Sequence, residues 1–361
     1  MTVDADAFAA MGGWPVLLGR LLAGGNLSGD EAGAALGEVL SGAAGEAQIA
    51  AFVTALRMKG ETVEELAGLV RAMLAHAEPL ELSGDLVDTC GTGGDRSRSI
   101  NVSTIAALVV AGAGARVCKH GGRAATSAAG SADVLEALGV VVDLGPRGVA
   151  RCVEEVGMGF CFAPRFHPAM RYAIPVRRAL GVPTVFNFLG PLANPARARY
   201  QVVGVSDPAM AEKMLGVLVA NGAARAMVVY GHDGLDELST TGTSTVLRAD
   251  VTEPGAPPEL ETTVVDPTAL GLAPAGLDDL RGGDAATNAQ VVRRVLSGEK
   301  GPHRDIALLN AAAALVVCGR AADLAEGLDV AASVVDDGRA EALLDGLVRE
   351  SRAAAGIDDQ P

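Results

Sequence analysis

The chain has 361 residues, a formal net charge of −15 at pH 7 and a hydrophobic fraction of 49%. A sequence of this length and apolarity can bury a substantial core and fold as two domains or one large one. The negative charge argues against a general role on nucleic acids or membrane surfaces, because both require basic protein surface. A small polyanionic substrate remains compatible with this charge if basic residues cluster locally or a metal ion neutralises it.

The five cysteines are an odd number without a C-x-x-C pair, which favours buried free thiols in a reducing compartment over disulfides or a zinc site. The N-terminal residues lack the basic-then-apolar pattern of a secretion signal. The most apolar run, residues 306–317, is well short of the roughly 20 residues that a membrane span needs. We therefore predict a cytoplasmic protein with no membrane segment and no nucleic-acid partner.

The first part of the chain, from about Trp14 to about Ala77, has apolar residues at helical spacing and no strand-like alternation. Residues 66–74 carry the apolar stripe of an amphipathic helix. Ser28 stands where a helix N-cap belongs. These patterns predict a small all-helical domain over residues 1–80.

After Leu86, short β-branched runs alternate with helical patterns. Strands are predicted at residues 86–88, 115–118, 140–142, 160–162, 201–205 and 226–230. Helices are predicted at residues 102–111, 132–138, 146–156 and 208–221, the last with Asp207 as its N-cap, and a helical stretch at 167–195 interrupts the alternation. The predicted fold class is α/β: a small helical domain and a larger domain with a mostly parallel sheet covered on both faces.

The most informative stretch is the glycine turn, residues 88–95, which reads Asp-Thr-Cys-Gly-Thr-Gly-Gly-Asp between a predicted strand and a predicted helix. Glycines let backbone N–H groups approach a ligand closely, and a strand, a turn and a helix N-terminus together form a phosphate site. The spacing matches neither G-x-G-x-x-G nor the Walker loop. Asp95 at its end indicates a cation or a ribose hydroxyl beside the phosphate. Alone, the segment is equally compatible with a structural turn.

Two further loops follow predicted strands and should reach the same edge of the sheet. The basic loop, residues 119–127, offers Lys119, Arg123, hydroxyls and glycine amides, which is the composition of an anion clamp. The acidic loop, residues 231–241, contains the adjacent carboxylates of Asp236 and Glu237, which repel each other unless a cation compensates. Mg²⁺ takes one or two such carboxylates together with substrate phosphates. Alone, however, this loop is more typical of a solvated acidic surface.

A fourth segment, residues 162–178, places aromatic residues near arginines, a combination that suits an aromatic acid paired with a guanidinium. For His167 we favour a structural role, capping the helix at Pro168, over a role as acid or base. Phosphate loops, a carboxylate pair and a small arginine-lined pocket together predict group transfer from a phosphorylated donor.

Taken together, these motifs resemble the anthranilate phosphoribosyltransferase family and occur in family order over most of the chain. The matching pieces are residues 88–95, 101–104, 119–121 with Arg123, 130–139, 162–170, 186–192 and 233–241. The resemblance implies a phosphoribosyltransferase-like α/β domain of residues 81–167 and 199–361, with inserted helices at about 168–198 completing the helical domain. It also implies a homodimer joined through the helical part. The implied reaction transfers the phosphoribosyl group of 5-phosphoribosyl 1-pyrophosphate to anthranilate, in the synthesis of tryptophan.

The resemblance also assigns site residues. The implied phosphoribosyl pyrophosphate site is Gly91, Gly94, Asp95, Ser99, Asn101, Val102, Ser103, Thr104, Lys119, His120, Gly121, Gly122, Arg123, Ala124, Ala125, Thr126, Ser127 and Ser131. Two Mg²⁺ ions are implied at Ser103, Asp236 and Glu237, and an anthranilate pocket at Gly91, Gly122 and Arg177. Lys119, Asp236 and Glu237 are the implied catalytic residues. The family usually has an acceptor-contacting asparagine where this chain has Gly122, which bears on acceptor affinity and identity.

Three alternative interpretations stay open at this point. A pyrimidine nucleoside phosphorylase-like enzyme has a related architecture, but the Asp236-Glu237 pair favours pyrophosphate with a metal. Transfer to a different aromatic amine is retained because of Gly122. A non-catalytic paralogue that binds nucleic acid is opposed by the charge of −15 and by the complete donor motifs.

Overall fold

The computed structural model describes residues 5–95, 97–124, 128–253 and 256–359. The chain begins with five helices: α1 (Ala5–Ala10), α2 (Gly13–Leu22), α3 (Gly29–Leu40), α4 (Glu46–Lys59) and α5 (Val63–Ala75). Ser28 caps α3 as predicted, since its hydroxyl accepts a hydrogen bond from Glu31 N at 3.2 Å while Ser28 N donates to the Glu31 carboxylate at 2.9 Å. The prediction of a small helical N-terminal region is confirmed.

A single sheet organises the rest of the chain. Its seven strands are β1 (Val87–Gly91), β2 (Val117–Gly121), β3 (Met158–Phe162), β4 (Tyr200–Gly204), β5 (Arg225–Gly231), β6 (Ser244–Asp250) and β7 (Glu259–Val265). They lie in the order β3-β2-β1-β4-β5-β6-β7. Strands β1 to β5 are parallel to one another, and the pairs β5-β6 and β6-β7 are antiparallel. The predicted mostly parallel sheet is therefore confirmed.

Eleven helices of the described residues follow β1. They are α6 (Val102–Gly112), α7 (Ser131–Ala137), α8 (Pro146–Val156), α9 (Ala163–Phe166), α10 (Ile174–Leu180), α11 (Phe186–Leu192), α12 (Ala211–Ala220), α13 (Ala285–Leu296), α14 (Pro302–Val317), α15 (Leu324–Asp336) and α16 (Arg339–Ala354). Asp207 caps the turn before α12, where its carboxylate accepts from Ala209 N at 3.2 Å. This helix was predicted to start at Pro208, and its first residues form a 3-10 turn, Pro208–Met210.

The sequence-based assignment of strands was wrong in two places. Residues 140–142 are not a strand but part of the connection between α7 and α8, where Val140 and Val142 are buried and Val141 N donates to Ser351 Oγ at 3.1 Å. Their β-branched composition serves packing rather than pairing. The hairpin of β6 and β7 was not predicted, because most of β7 is exposed and shows no alternation of buried and exposed residues.

Two apolar cores lie on opposite faces of the sheet. In β5, Met227 and Val229 face one core and Ala226 and Val228 face the other, as the two-residue period of a strand requires. The first core contains α6, α8 and α13 to α16. The second contains the N-terminal helices together with α10, α11 and α12, so the inserted helices share a core with the N-terminal ones.

The parallel strands fix where the predicted motifs meet. The glycine turn begins within β1 and continues past its end, as the basic loop does at β2 and the acidic loop at β5, with β4 between β1 and β5. Carboxyl ends of adjacent parallel strands lie at one edge of the sheet, so the three motifs converge there.

Among the helices of the described residues, none has the length and apolarity needed to cross a membrane.

Candidate active site

The acidic loop packs directly against the ends of β1 and β4. Asp236 Oδ2 accepts a hydrogen bond from Gly93 N at 2.7 Å. A Cβ atom on Gly91 would lie 2.2 Å from this oxygen, and one on Gly204 would lie 1.6 Å from the backbone oxygen of Asp236. The acidic loop can therefore approach these strand ends closely only because both end in glycine.

The glycine turn itself needs glycine for a second reason. Gly93 and Gly94 have φ angles of 66° and 84°, in the left-handed region that other residues adopt rarely. Ser97 closes the turn, since its N and its Oγ donate to the Asp95 carboxylate at 3.2 and 2.7 Å. Ser99 N in turn donates to Ser97 Oγ at 3.1 Å. The turn leaves Gly93 and Gly94 exposed. Because the N–H and C=O of Gly93 bond to Asp236 and Ser206, the backbone of Gly94 is the part of the turn that a ligand can reach.

Three carboxylates form a cluster of like charge at this edge. Burial, and then the charge of Asp95, raises the pKa of Asp236 to about 6. Burial and the neighbouring Asp236 also raise the pKa of Glu237, while the Lys119 charge and a hydrogen bond from Ser103 N act in the opposite direction. A cation bound among these oxygens would relieve their repulsion.

Lys119 is a buried cation rather than a surface charge, with only 1% exposure at the end of β2. Its Nζ donates to Thr89 O and, at 3.3 Å, to Ser103 Oγ. Buried charges require such partners. Lys119 thus lies between β1 and the start of α6, close enough to lower the pKa of Glu237.

The N-terminus of α6 carries the next group of predicted site residues. Asn101 Nδ2 donates to Ala129 O at 3.0 Å, and Thr104 Oγ1 donates to Ser131 Oγ at 3.1 Å. Val102 is the first residue of the helix. The N–H groups of this N-terminus have partners within the protein: Val102 N donates to Ile100 O at 2.8 Å, Thr104 N donates to Asn101 O at 3.1 Å, and Ser103 N bonds to Glu237. The positive end of the helix dipole still favours phosphate nearby.

Arg123 lies differently from its predicted role as a phosphate ligand. Its guanidinium pairs with Asp133 at 2.9 Å and Glu136 at 2.5 Å, and it stacks 5.5 Å from the centre of the Phe162 ring. Ala124 N also donates to Asp133, at 3.0 Å. In this arrangement the Arg123 guanidinium is occupied by carboxylates of the same chain. The predicted site residues Ala125, Thr126 and Ser127 lie outside the described residues.

Two buried histidines line the boundary between β2 and α11. His120 Nδ1 donates to Gly190 O at 3.1 Å, His167 Nε2 donates to Ala193 O at 3.0 Å, and the ring centres are 5.1 Å apart. Burial lowers the pKa of His120 to about 3 and also lowers the pKa of His167. His167 has the structural role that we favoured, but it contacts Ala193 instead of capping the helix at Pro168.

The predicted acceptor residues have few contacts. The Arg177 guanidinium in α10 is half-buried and lies 5.6 Å from the centre of the Phe186 ring. No carboxylate of the described residues pairs with it, and burial lowers its pKa. A Cβ atom on Gly122 would have Ala163 Cβ as its nearest contact, at 3.8 Å. Gly122 directly follows the last residue of β2, and its carbonyl oxygen accepts a hydrogen bond from Ala132 N in α7 at 3.1 Å.

Sequence reasoning missed three residues that hold these loops. Ser206 Oγ donates to Gly93 O at 2.9 Å, and Asn288 Nδ2 donates to Asn101 Oδ1 at 2.9 Å. Asn310, in α14, bonds to the backbone of Leu238 at 2.9 Å. The signal for Asn310 was its position as a polar residue within an apolar run, whereas Ser206 and Asn288 have no local signal.

The possible metal ligands are Ser103, Asp236 and Glu237, all of which offer oxygen. Among the described residues, no three His, Cys, Asp or Glu side chains form a complete metal site. This donor set fits Mg²⁺, which binds few protein carboxylates and fills its shell with water and substrate phosphates.

Two family models match the chain. Residues 83–341 match the glycosyl transferase family, a/b domain, and residues 15–77 match the glycosyl transferase family, helical bundle domain. An anthranilate phosphoribosyltransferase of Roseiflexus sp. is 52% identical over 338 residues, which cover 93% of this chain and 98% of the relative.

Solved structures show the same likeness. The anthranilate phosphoribosyltransferase of Thermus thermophilus superimposes with a TM-score of 0.87 at 41% identity, covering 93% of this chain and 99% of the other. The anthranilate phosphoribosyltransferase of Saccharomyces cerevisiae, in complex with PRPP (phosphoribosyl pyrophosphate) and Mg, has a TM-score of 0.84 at 28% identity, covering 94% and 98%.

Proposed function

The chain belongs to the anthranilate phosphoribosyltransferase family, a family of pentosyltransferases, and we propose how its sheet-edge site carries out the reaction. The phosphoribosyl group of PRPP is transferred to anthranilate, giving N-(5-phosphoribosyl)anthranilate and pyrophosphate, a step of tryptophan synthesis. One observation carries this proposal. The glycine turn, buried Lys119 and the Asp236-Glu237 pair meet around the N-terminus of α6.

The donor binds at this edge of the sheet. The exposed backbone of Gly94 and the positive dipole end of α6 would attract phosphate oxygens, and Lys119 would neutralise pyrophosphate. The yeast relative contains PRPP and Mg, which supports this assignment. Arg123 would join the donor site only by leaving Asp133 and Glu136, the partners it has here.

Magnesium would be held by Ser103, Asp236 and Glu237, and we assign two ions to each chain. Three facts support the fit: the donors are oxygens, the pKa values of both carboxyl groups are raised, and no described cluster forms an all-protein metal site. When bound, Mg²⁺ supplies positive charge that stabilises pyrophosphate as it leaves.

The reaction breaks the bond between ribose C1 and pyrophosphate and forms a bond between C1 and the amine nitrogen. An arylamine is a weak nucleophile, so departure of pyrophosphate leads and C1 becomes oxocarbenium-like. Lys119 and backbone N–H groups stabilise the leaving group, and the protein aligns the amine. No described side chain stands out as an obligatory base, since His167 is buried and its Nε2 bonds to Ala193 O.

The acceptor would bind between the loops at the sheet edge and α10. Arg177 would pair with the anthranilate carboxylate, because its guanidinium is half-buried and has no carboxylate partner among the described residues. Gly91 and Gly122 would line the same pocket. At Gly122 the chain offers space but no hydrogen-bonding group.

The assembly would be a homodimer joined through the helical domain, residues 1–80 completed by about 168–198. Large apolar side chains are exposed on this part of the chain, among them Leu22 at 79%, Met58 at 83% and Val182 at 60%. Such surface is typical of an interaction site.

The free cysteines of the described residues support a cytoplasmic location, where thiols stay reduced.

The decisive experiment follows anthranilate fluorescence after PRPP is added, with and without Mg²⁺. We expect the fluorescence to fall as phosphoribosyl-anthranilate forms, and to stay constant when EDTA removes the metal. Phosphorolysis of thymidine is measured in parallel. Release of thymine with no loss of anthranilate would instead support the nucleoside phosphorylase interpretation.

A further inference from the structure

Asn310 lies in the middle of α14, in a stretch, residues 306–317, whose other members are all apolar. It is 3% exposed. Its Oδ1 accepts a hydrogen bond from Leu238 N at 2.9 Å, and its Nδ2 donates to Leu238 O and to Ile306 O, both at 2.9 Å. The side-chain amide therefore bonds to both backbone groups of one residue in the acidic loop.

This pairing matters because the acidic loop has irregular backbone and is partly buried. Leu238 has no exposed surface, and a buried N–H or C=O without a partner costs free energy comparable to a lost hydrogen bond. A two-point contact also fixes the orientation of the residue, which a single hydrogen bond leaves free. Glu237 immediately precedes Leu238, so α14 sets the direction of the chain at Glu237.

The same helix supports the other side of the site. α14 packs along α6, and the N-terminus of α6 carries Ser103, whose N–H bonds to Glu237. One helix therefore sets the positions of Ser103 and of the acidic loop relative to each other. The mutual repulsion of Asp236 and Glu237 acts against this arrangement.

We propose that Asn310 is a positioning residue, which holds Asp236 and Glu237 against Ser103 so that their oxygens converge before metal and donor bind. The inference rests on the proposed magnesium role of these three residues. Asn310 itself is not a ligand, because its amide is engaged with Leu238 and Ile306. Replacing it leaves every proposed ligand in the chain and changes only how the loop is held.

The test is Asn310→Leu, which keeps the branched shape of the side chain and removes both hydrogen bonds to Leu238. In the peptide of residues 235–241, we expect amide hydrogens to exchange on the order of 100-fold faster, measured by mass spectrometry without substrate or metal. The magnesium concentration for half-maximal rate should rise about tenfold or more, as with other groups that orient metal ligands. The KM for anthranilate should stay within about twofold.

Asn310→Ser is the second variant, to be used if the Asn310→Leu protein does not fold. Its short hydroxyl bonds within the helix, to Ile306 O, and leaves Leu238 without both partners, so the same changes are expected. Val316→Ala, buried on the same helix, controls for loosened packing and should leave exchange and magnesium dependence at wild-type values.

Wild-type exchange of residues 235–241 in both Asn310 variants would overturn the inference, as would equal acceleration in Val316→Ala. A different result would contradict the proposed function: turnover by the wild-type protein that does not need magnesium. In that case the exchange measurement still decides whether Asn310 holds the loop.

Discussion

The proposed donor half and the proposed acceptor half of the site are constructed in different ways. In the donor half, the charged groups are held on several sides: Asp236 by Gly93 N and Lys119 by Thr89 O and Ser103 Oγ. In the acceptor half, Arg177 contacts the Phe186 ring and Gly122 has open space beside it. Charged groups are therefore held in place where the proposed mechanism has pyrophosphate leave, which is where electrostatic stabilisation contributes most. Side chains have more freedom where we propose that the aromatic ring binds.

The largest expected effect tests the pre-organised half. We predict that Asp236→Asn combined with Glu237→Gln lowers kcat by about 1,000-fold, because the metal and the leaving group lose their anionic ligands. Without metal, the melting temperature of this variant should rise. A carboxyl group whose pKa is raised by folding destabilises the folded state when ionised, and for Asp236 this cost is complete above its pKa of about 6. Both quantities are measured at about pH 7.5, the second in EDTA.

The matched control replaces an exposed pair of adjacent carboxylates on α8, with Glu154→Gln and Glu155→Gln. Its turnover should equal that of the wild type. A near-normal rate in the Asp236 and Glu237 double variant would rule out the metal role, and a lower melting temperature would show that the two charges stabilise the loop.

A smaller effect is expected in the acceptor half. Arg177→Gln removes the guanidinium that would pair with the anthranilate carboxylate, so the KM for anthranilate should rise roughly tenfold while the KM for PRPP stays unchanged. Steady-state kinetics with each substrate varied in turn measures the KM for anthranilate and the KM for PRPP separately. Arg178→Gln, the exposed neighbour on the same helix, is the control. An increase confined to the KM for PRPP would assign Arg177 to the donor instead.

The same contrast explains what the sequence could predict. The glycine turn, Lys119 and the Asp236-Glu237 pair each carry a local signal, because they lie at or just after the ends of strands whose composition is recognisable. Strand ends at one edge of a parallel sheet then bring them together without further information. The mostly parallel sheet and the convergence of these motifs at one of its edges were therefore within reach.

Residues that act across the fold were not predictable in this way. Asn310 is 72 residues from Leu238, Asn288 is 187 residues from Asn101, and Ser206 is 113 residues from Gly93. Each acts through a backbone or amide contact that depends on tertiary packing, so no pattern within a short window reveals it. The pairing of Arg123 with Asp133 and Glu136 was likewise not predicted, and its role as a phosphate ligand stays a prediction.

The smallest effect is expected at Gly122. Its φ is not in the left-handed region, and a Cβ atom there would lie 3.8 Å from Ala163 Cβ, an ordinary contact distance. Gly122→Asn should therefore leave the melting temperature within about 2 °C of the wild type. The added amide gives the acceptor pocket a hydrogen-bonding group, so the KM for anthranilate should fall by about two- to fivefold. Gly121→Ala is the contrasting variant, because its Cβ would lie 3.2 Å from the Phe160 ring and should lower stability. An unchanged KM in Gly122→Asn would mean that the open space at residue 122 lies outside the acceptor pocket.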